Sequence, residues 1–182
     1  QDFPWPANGR GDLALTHQGS GAPWAIVQAS AAIPLRQPLA AGLKVTRVVE
    51  NVQAAAPGRY TRGDLLRVKL TIEAPQDLTW VVLDDPVPAG ASVVGGLRNN
   101  GAPLGLKSAA QDLWPAFTEA GFENYRAYFD LLPRGTWHVE YLLRLNAAGE
   151  FRLPPTRAEA MYAPDIFGAR PNPIMTVAPA AA

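Results

Sequence analysis

The chain has 182 residues, sixteen lysine-plus-arginine against sixteen aspartate-plus-glutamate, and no cysteine. Hydrophobic residues make up 48%, enough for a sizeable core; the zero net charge lacks the basic stripe that nucleic acid asks for, and without cysteine there is no disulfide, thiolate nucleophile or cysteine zinc site. No apolar run approaches the roughly 20 residues that span a bilayer, and residues 1–5 lack the basic flank and apolar core of a secretory signal, so the sequence reads as a mature protein or a fragment.

Eighteen prolines and sixteen glycines are spread along the chain; they cut it into short segments and leave little room for long helices. In chain order, residues 12–17 and 24–29 flank a Gly19–Ser20–Gly21 turn and predict a hairpin. Pro34, Pro38 and Gly42 then interrupt the pattern, so a boundary is expected across residues 33–42. Residues 43–49 alternate Leu43, Val45 and Val49 with Lys44 and Val48. Residues 65–73 form the clearest strand, with Leu66, Val68, Leu70 and Ile72 on one face and Arg67, Lys69, Thr71 and Glu73 on the other. That period of two puts one face on a core and one in water. Residues 80–83 are apolar throughout, as in a strand buried on both faces, and residues 108–113 are the best helix candidate. Further strands are expected at 125–131, 150–153, 158–162 and 174–177. Residues 136–145 repeat the strong alternation, with Trp137, Val139, Tyr141, Leu143 and Leu145 inward and His138, Glu140 and Arg144 outward. The alanine-rich tail 178–182 is expected to fray. Many short strands with turn signals between them predict an all-β antiparallel sandwich of immunoglobulin-like or fibronectin-like architecture.

Catalytic machinery is hard to find. His17 and His138 both fall on expected strands, far apart in sequence, and read as surface residues. Asp84–Asp85–Pro86 offers oxygen ligands for calcium, but no glycine-punctuated loop surrounds it, and Asp-Asp-Pro after a strand is a good turn starter. Glu119, Glu123 and Asp130 are carboxylates of the kind that hydrolyse glycosides in pairs, and nothing in the sequence sets two of them at the required separation. There is no phosphate-cradling glycine loop and no G-x-S-x-G elbow. Two Arg-Gly-Asp triplets, Arg10–Asp12 and Arg62–Asp64, each precede an expected strand and read as turns rather than adhesion motifs. No catalytic, cofactor-binding or metal-binding residue is assigned, and the chain is not expected to be an enzyme. The aromatics are more informative. Trp114, Phe117 and Phe122, and then Met161, Tyr162, Ile166 and Phe167, lie in stretches without clear alternation. Two readings stand: loops folding over the ends of their own sandwich, or a contact surface for a neighbouring domain.

Several long segments are familiar together. Residues 9–35 read GRGDLALTHQGSGAPWAIVQASAAIPL, and TRGDLLRVKLTIEA (61–74), LTWVVLDDPVPAG (78–90), WPAFTEAGFENYRAYFDLLPRG (114–135) and YLLRLNAAGEFRLPPTRAEAMYAPDIFG (141–168) follow in order. Together they resemble the C-terminal end of bacterial alpha-2-macroglobulins. The resemblance implies that residues 42–182 are the terminal macroglobulin-like sandwich, and that residues 1–41 are the closing strands of the preceding domain plus a linker. It also implies a part in a periplasmic, broad-range protease trap, in which this segment braces the thioester-containing region without taking part in chemistry. The partners implied are the upstream domains of the same parent chain and, through the whole protein, target proteases; neither nucleic acid nor membrane insertion by this segment is expected. A lipid anchor on the parent is left open. The first rival reading is a free-standing extracytoplasmic adhesion or ligand-binding sandwich, and the second is a small hydrolase with Asp84, Glu123 or Asp130 in a cleft.

Overall fold

The period-two segments become paired strands in the computed structural model, which describes residues 4, 11–28, 33–96 and 115–180. The chain divides into two units, Gln1–Ile33 and Pro34–Ala182. Among the described residues the strands all lie in the second: β1 (Leu39–Ala41), β2 (Lys44–Gln53), β3 (Tyr60–Thr61), β4 (Leu65–Ala74), β5 (Leu78–Pro86), β6 (Ala91–Gly96), β7 (Phe117–Ala120), β8 (Asn124–Leu132), β9 (Gly135–Leu145), β10 (Gly149–Phe151), β11 (Thr156–Ala160), β12 (Ala163–Arg170) and β13 (Met175–Ala178). The described residues contain no helix.

Three sheets form, a six-stranded one in the order β1-β12-β11-β5-β8-β7, a four-stranded one in the order β2-β4-β9-β6, and a small one in the order β10-β13-β3. Register follows the apolar faces. Leu66, Val68 and Leu70 of β4 stand opposite Leu143, Tyr141 and Val139 of β9, while Val81 and Leu83 of β5 stand opposite Phe129 and Ala127 of β8. All ten are buried in one core shared by both sheets. A one-residue slip in any of these ladders would turn its apolar set to solvent, so the pattern itself sets the pairing. Trp137 is only partly buried at the margin of this core, with its indole Nε1 donating to the Pro133 carbonyl at 2.7 Å.

Several expectations change. Residues 11–28 hold no strand and are exposed throughout, so the hairpin over residues 12–29 is absent from its described part. An isolated two-stranded ribbon has no third strand to bury its apolar face, and is marginal in water. Leu39–Ala41, expected in the linker, pairs with β12 as an edge strand. The approach is close there: a Cβ on Gly168 would stand 2.6 Å from the Leu43 carbonyl oxygen. Residues 80–83 are not buried on both faces, because Trp80 is half exposed while Val81 and Leu83 are buried. The aromatic stretches are less irregular than their spacing suggests, since β7 begins at Phe117 and β12 carries Ile166 and Phe167. The helix candidate at 108–113 lies outside the described residues.

Candidate docking face over a buried charge hub

Continuing the inward parity of β5 past Val81 and Leu83 brings Asp85 into the core, fully buried. The same parity on β2, after Leu43 and Val45, brings in Arg47. Arg47 Nε donates to Asp85 Oδ1 at 2.9 Å and to Oδ2 at 3.0 Å. The Tyr141 hydroxyl donates to Oδ2 and the Thr156 hydroxyl to Oδ1, each at 2.5 Å. Asn172 Nδ2 extends the chain of bonds to Thr156 Oγ1 at 3.0 Å and the Pro154 carbonyl at 2.7 Å. Tyr125 stacks on Tyr141 with ring centroids 4.4 Å apart. Strands β2 and β9 of one sheet are thus tied to β5 and β11 of the other through one carboxylate.

Charges buried this way demand compensation. Burial works against the Arg47 charge; the Asp85 carboxylate outweighs that, and the guanidinium titrates above its ordinary range. Burial first, and the Asp85 charge second, push the Tyr141 phenol well above its usual value against the opposing effect of Arg47. With three donors converging on a fully buried Asp85, the cluster acts as a staple between sheets.

The outer face of the six-stranded sheet is different. Reading across the register, Phe167 stands opposite Glu159, Glu159 opposite Val82, Val82 opposite Tyr128 and Tyr128 opposite Phe117. One step along, Arg157, Asp84, Arg126 and Glu119 make a row of alternating charge. Arg126 Nε lies 2.9 Å from Asp84 Oδ2, and the hydrogen bond and charge of Asp84 raise the Arg126 pKa. Arg157 Nε lies 2.6 Å from Glu159 Oε2, with its guanidinium 4.1 Å over the Phe167 ring. A groove of about 530 Å³ follows these rows, reaching Pro154, Pro155 and Glu123 at one end and Met161 at the other. By contrast, the outer face of the four-stranded sheet is a ladder of Arg67 and Lys69 against Glu50 and Glu140, the ordinary surface of a solvated sheet.

The residues singled out by their spacing fall in four places. Phe117, Met161 and Phe167 share the outer face or its groove, and Phe117 packs on Tyr128 at 5.9 Å. Phe122, 93% exposed, lies in the turn between β7 and β8, while Tyr162, 81% exposed, lies in the turn between β11 and β12 at the opposite end. Ile166 packs against the core, and Trp114 lies outside the described residues. Two features escaped the sequence reading. Arg47 fills the gap left in the Leu43, Val45, Val49 series, and Trp80 stands half exposed on β5 with φ of 54°.

Chemistry elsewhere is absorbed by structure. Asp84 and Asp85 point to opposite faces of β5 rather than starting a turn. Asp84 and Glu123 border the same groove, but Asp84 is committed to its ion pair, and Glu119 sits 3.8 Å from Arg126 Nη1. Asp130 is exposed on β8. His17 is exposed, and His138 Nδ1 lies 3.0 Å from the Thr71 hydroxyl. Among the described residues no group of three or more His, Asp or Glu side chains is placed to hold a metal. The second Arg-Gly-Asp triplet is a turn: Gly63 has φ of +101°, and the buried Asp64 carboxylate accepts the Thr61 and Ala55 N–H groups at 2.8 Å each. Of the first, Gly11 and Asp12 are exposed and Arg10 lies outside the described residues.

Residues 42–165, more than half of the chain, match the family model of the bacterial alpha-2-macroglobulin MG10 domain. The chain belongs to that family. An alpha-2-macroglobulin homolog from Nostoc sp. is 30% identical over 88% of this chain and 9% of its own length. An alpha-2-macroglobulin from Xylella fastidiosa is 27% identical over 62% of this chain and 7% of its own. This MG10 chain therefore spans about a tenth or less of the relatives it matches. In structure, the native conformation of Escherichia coli alpha-2-macroglobulin superposes with a TM-score of 0.70 at 20% identity, covering 81% of this chain and 10% of the other. Salmonella alpha-2-macroglobulin reacted with methylamine gives 0.64 at 21% identity, over 79% and 10%. At these identities the likeness is one of fold, an all-β sandwich whose two larger sheets pair antiparallel, with one parallel pair, β3 and β13, in the small sheet.

Proposed function

We propose that this MG10 domain is a non-catalytic brace within a periplasmic, protease-trapping alpha-2-macroglobulin, holding the thioester-containing region of its parent in the unreacted arrangement. The observation that carries the reading is the contrast between the two outer faces. One is a ladder of solvated ion pairs, while the other sets a row from Phe167 through Glu159, Val82 and Tyr128 to Phe117 along an open groove. Soluble domains seldom leave such a surface bare. Most of its charges, Asp84 with Arg126 and Arg157 with Glu159, are already paired within the face, which lowers the cost of covering them. The buried hub supports the same role, because a brace must keep its two sheets in one geometry under load.

The exposed apolar residues of the first unit, Leu13, Leu15, Trp24 and Ile26, belong on this reading to strands of the preceding domain, whose partners lie upstream in the parent. Target proteases are met through the whole protein.

Phe117→Ser together with Phe167→Ser tests the brace. In the full-length parent the pair should speed limited proteolysis between domains and, where a thioester is present, its loss to small amines without prior cleavage. The 182-residue chain carrying the same pair should stay folded. Unchanged rates in the parent would remove the bracing role, and collapse of the isolated chain would show that these rings serve only their own sheet.

A further inference from the structure

Arg47 brings more donors into the core than Asp85 can accept. The Arg47 side chain is 4% exposed and that of Asp85 0%. A carboxylate offers about four lone-pair positions. Asp85 uses them on the two contacts from Arg47 Nε, the Tyr141 hydroxyl and the Thr156 hydroxyl. Guanidinium Nη2, a donor only, is buried as well and has no hydrogen-bond partner among the described residues. Side chains nearby on its own sheet cannot supply one, since Val45 and Val49 flank Arg47 along β2 and Leu70 stands opposite on β4. Native interiors seldom leave such a donor alone; it is met by protein, by water or by an ion.

We propose that Arg47 Nη2 holds a buried water molecule, which completes the hub between the two sheets. Charge decides the class of ligand. Arg47 and Asp85 already cancel, and burial keeps the Tyr141 phenol neutral. An anion on Nη2 would therefore add an uncompensated charge to the core, and a cation would meet a group that only donates. A neutral acceptor remains, and it must pass on its own hydrogens. The hub has capacity for them. Thr156 has one hydroxyl proton and gives it to Asp85 at 2.5 Å, so its 3.4 Å approach to Asn172 Oδ1 leaves that oxygen free to accept. The Pro154 carbonyl takes Asn172 Nδ2 at 2.7 Å, which fixes the amide this way round. The Tyr141 oxygen donates to Asp85 and likewise keeps lone-pair capacity. Water accepts from Nη2 and donates to groups of this kind, and buried waters ordinarily make about three hydrogen bonds. The inference stands apart from the brace reading, because every residue it uses lies in the interior of the sandwich.

A crystal structure of the 182-residue chain, grown from a bromide solution and sharp enough to show ordered water, tests this. A peak of water's density is expected about 2.7–3.2 Å from Arg47 Nη2, without anomalous scattering. An anomalous peak there would be bromide and would overturn the assignment to water. A protein acceptor at hydrogen-bond distance from Nη2, or apolar contact on all its sides, would do the same. Arg47→Met combined with Asp85→Leu removes the charge pair as a unit, so this variant should stay folded and lose the peak. A peak kept in the double variant would assign the water to other groups and contradict the role of Arg47. None of these outcomes touches the brace, which is tested in the parent.

Discussion

Arg47 and Asp85 face each other across the interior of the sandwich, the guanidinium Nε reaching both carboxylate oxygens at 2.9 and 3.0 Å. Each comes from a different sheet, so the pair measures how firmly the sheets are joined. Arg47→Met leaves a buried carboxylate with only hydroxyl donors and should cost about 3–5 kcal/mol. Asp85→Leu strands three donors and should cost a similar amount. The double variant should cost clearly less than the sum, and additive losses in urea unfolding would mean that the two do not act as a pair.

Alkaline pH offers a cleaner probe of the interior. Burial raises the Tyr125 phenol to about 12, and Tyr141 lies well above its usual value through burial and then the Asp85 charge. Below about pH 10 both phenols are protonated in the folded and unfolded chains alike, and neither makes stability depend on pH. Above about 10 the unfolded chain releases protons that the folded chain retains. Stability should therefore fall as pH rises, by up to about 1.4 kcal/mol per unit for each phenol, until the folded phenol ionises too, near 12 for Tyr125. Tyr125→Phe should remove one proton's share of that slope with little effect near neutrality, and an unchanged slope would contradict its burial.

The closeness of β12 to the start of β2 makes Gly168 a sensitive position. A methyl group there would meet the Leu43 carbonyl oxygen at 2.6 Å, and backbone on both sides leaves little room to yield. Gly168→Ala should destabilise the chain by about 1–3 kcal/mol, the usual cost of overpacking. A melting temperature equal to wild type would show that this corner of the sandwich is looser than described.

Asp64 separates a structural Arg-Gly-Asp triplet from an adhesive one. Its buried carboxylate accepts two backbone N–H groups, so Asp64→Ala should cost about 2–3 kcal/mol, the scale of losing charged acceptors for buried donors. Arg62→Ala should be nearly silent. Binding of the folded chain to an integrin-type receptor, abolished by Arg62→Ala, would contradict the turn reading.

The legible part of this fold was the part governed by one rule. Leu66 to Ile72 and Val139 to Leu145 alternate because one side is buried and one is wet, and the structure buries Leu66, Val68, Leu70, Ile72, Val139, Tyr141, Leu143 and Leu145 as that alternation implies, with Leu142 buried on the other side as the exception. The rule also reached further than it was carried. Parity alone points Arg47 and Asp85 inward; burying such charges is tolerable only because each meets its partner three strands away in sequence order. The seven aromatic and apolar candidates were picked for lack of alternation. Phe117 and Phe167 prove to lie on strands whose outer side mixes apolar and charged residues; β7 has only four residues at the edge of its sheet, too few to show an alternation. Trp80 left no signal, because a positive φ depends on where Leu78 and Leu132 must sit. The hairpin over residues 12–29 failed for want of a third strand, which local spacing cannot supply.

The outer face of the six-stranded sheet is the centre of this account, and side-chain footprinting by hydroxyl radicals reads it directly. Phe117, Tyr128 and Met161 should be oxidised several-fold less in the full-length parent than in the 182-residue chain, while Phe151, packed against the core, should label equally in both. Equal oxidation of Phe117, Tyr128 and Met161 in the two proteins would contradict it.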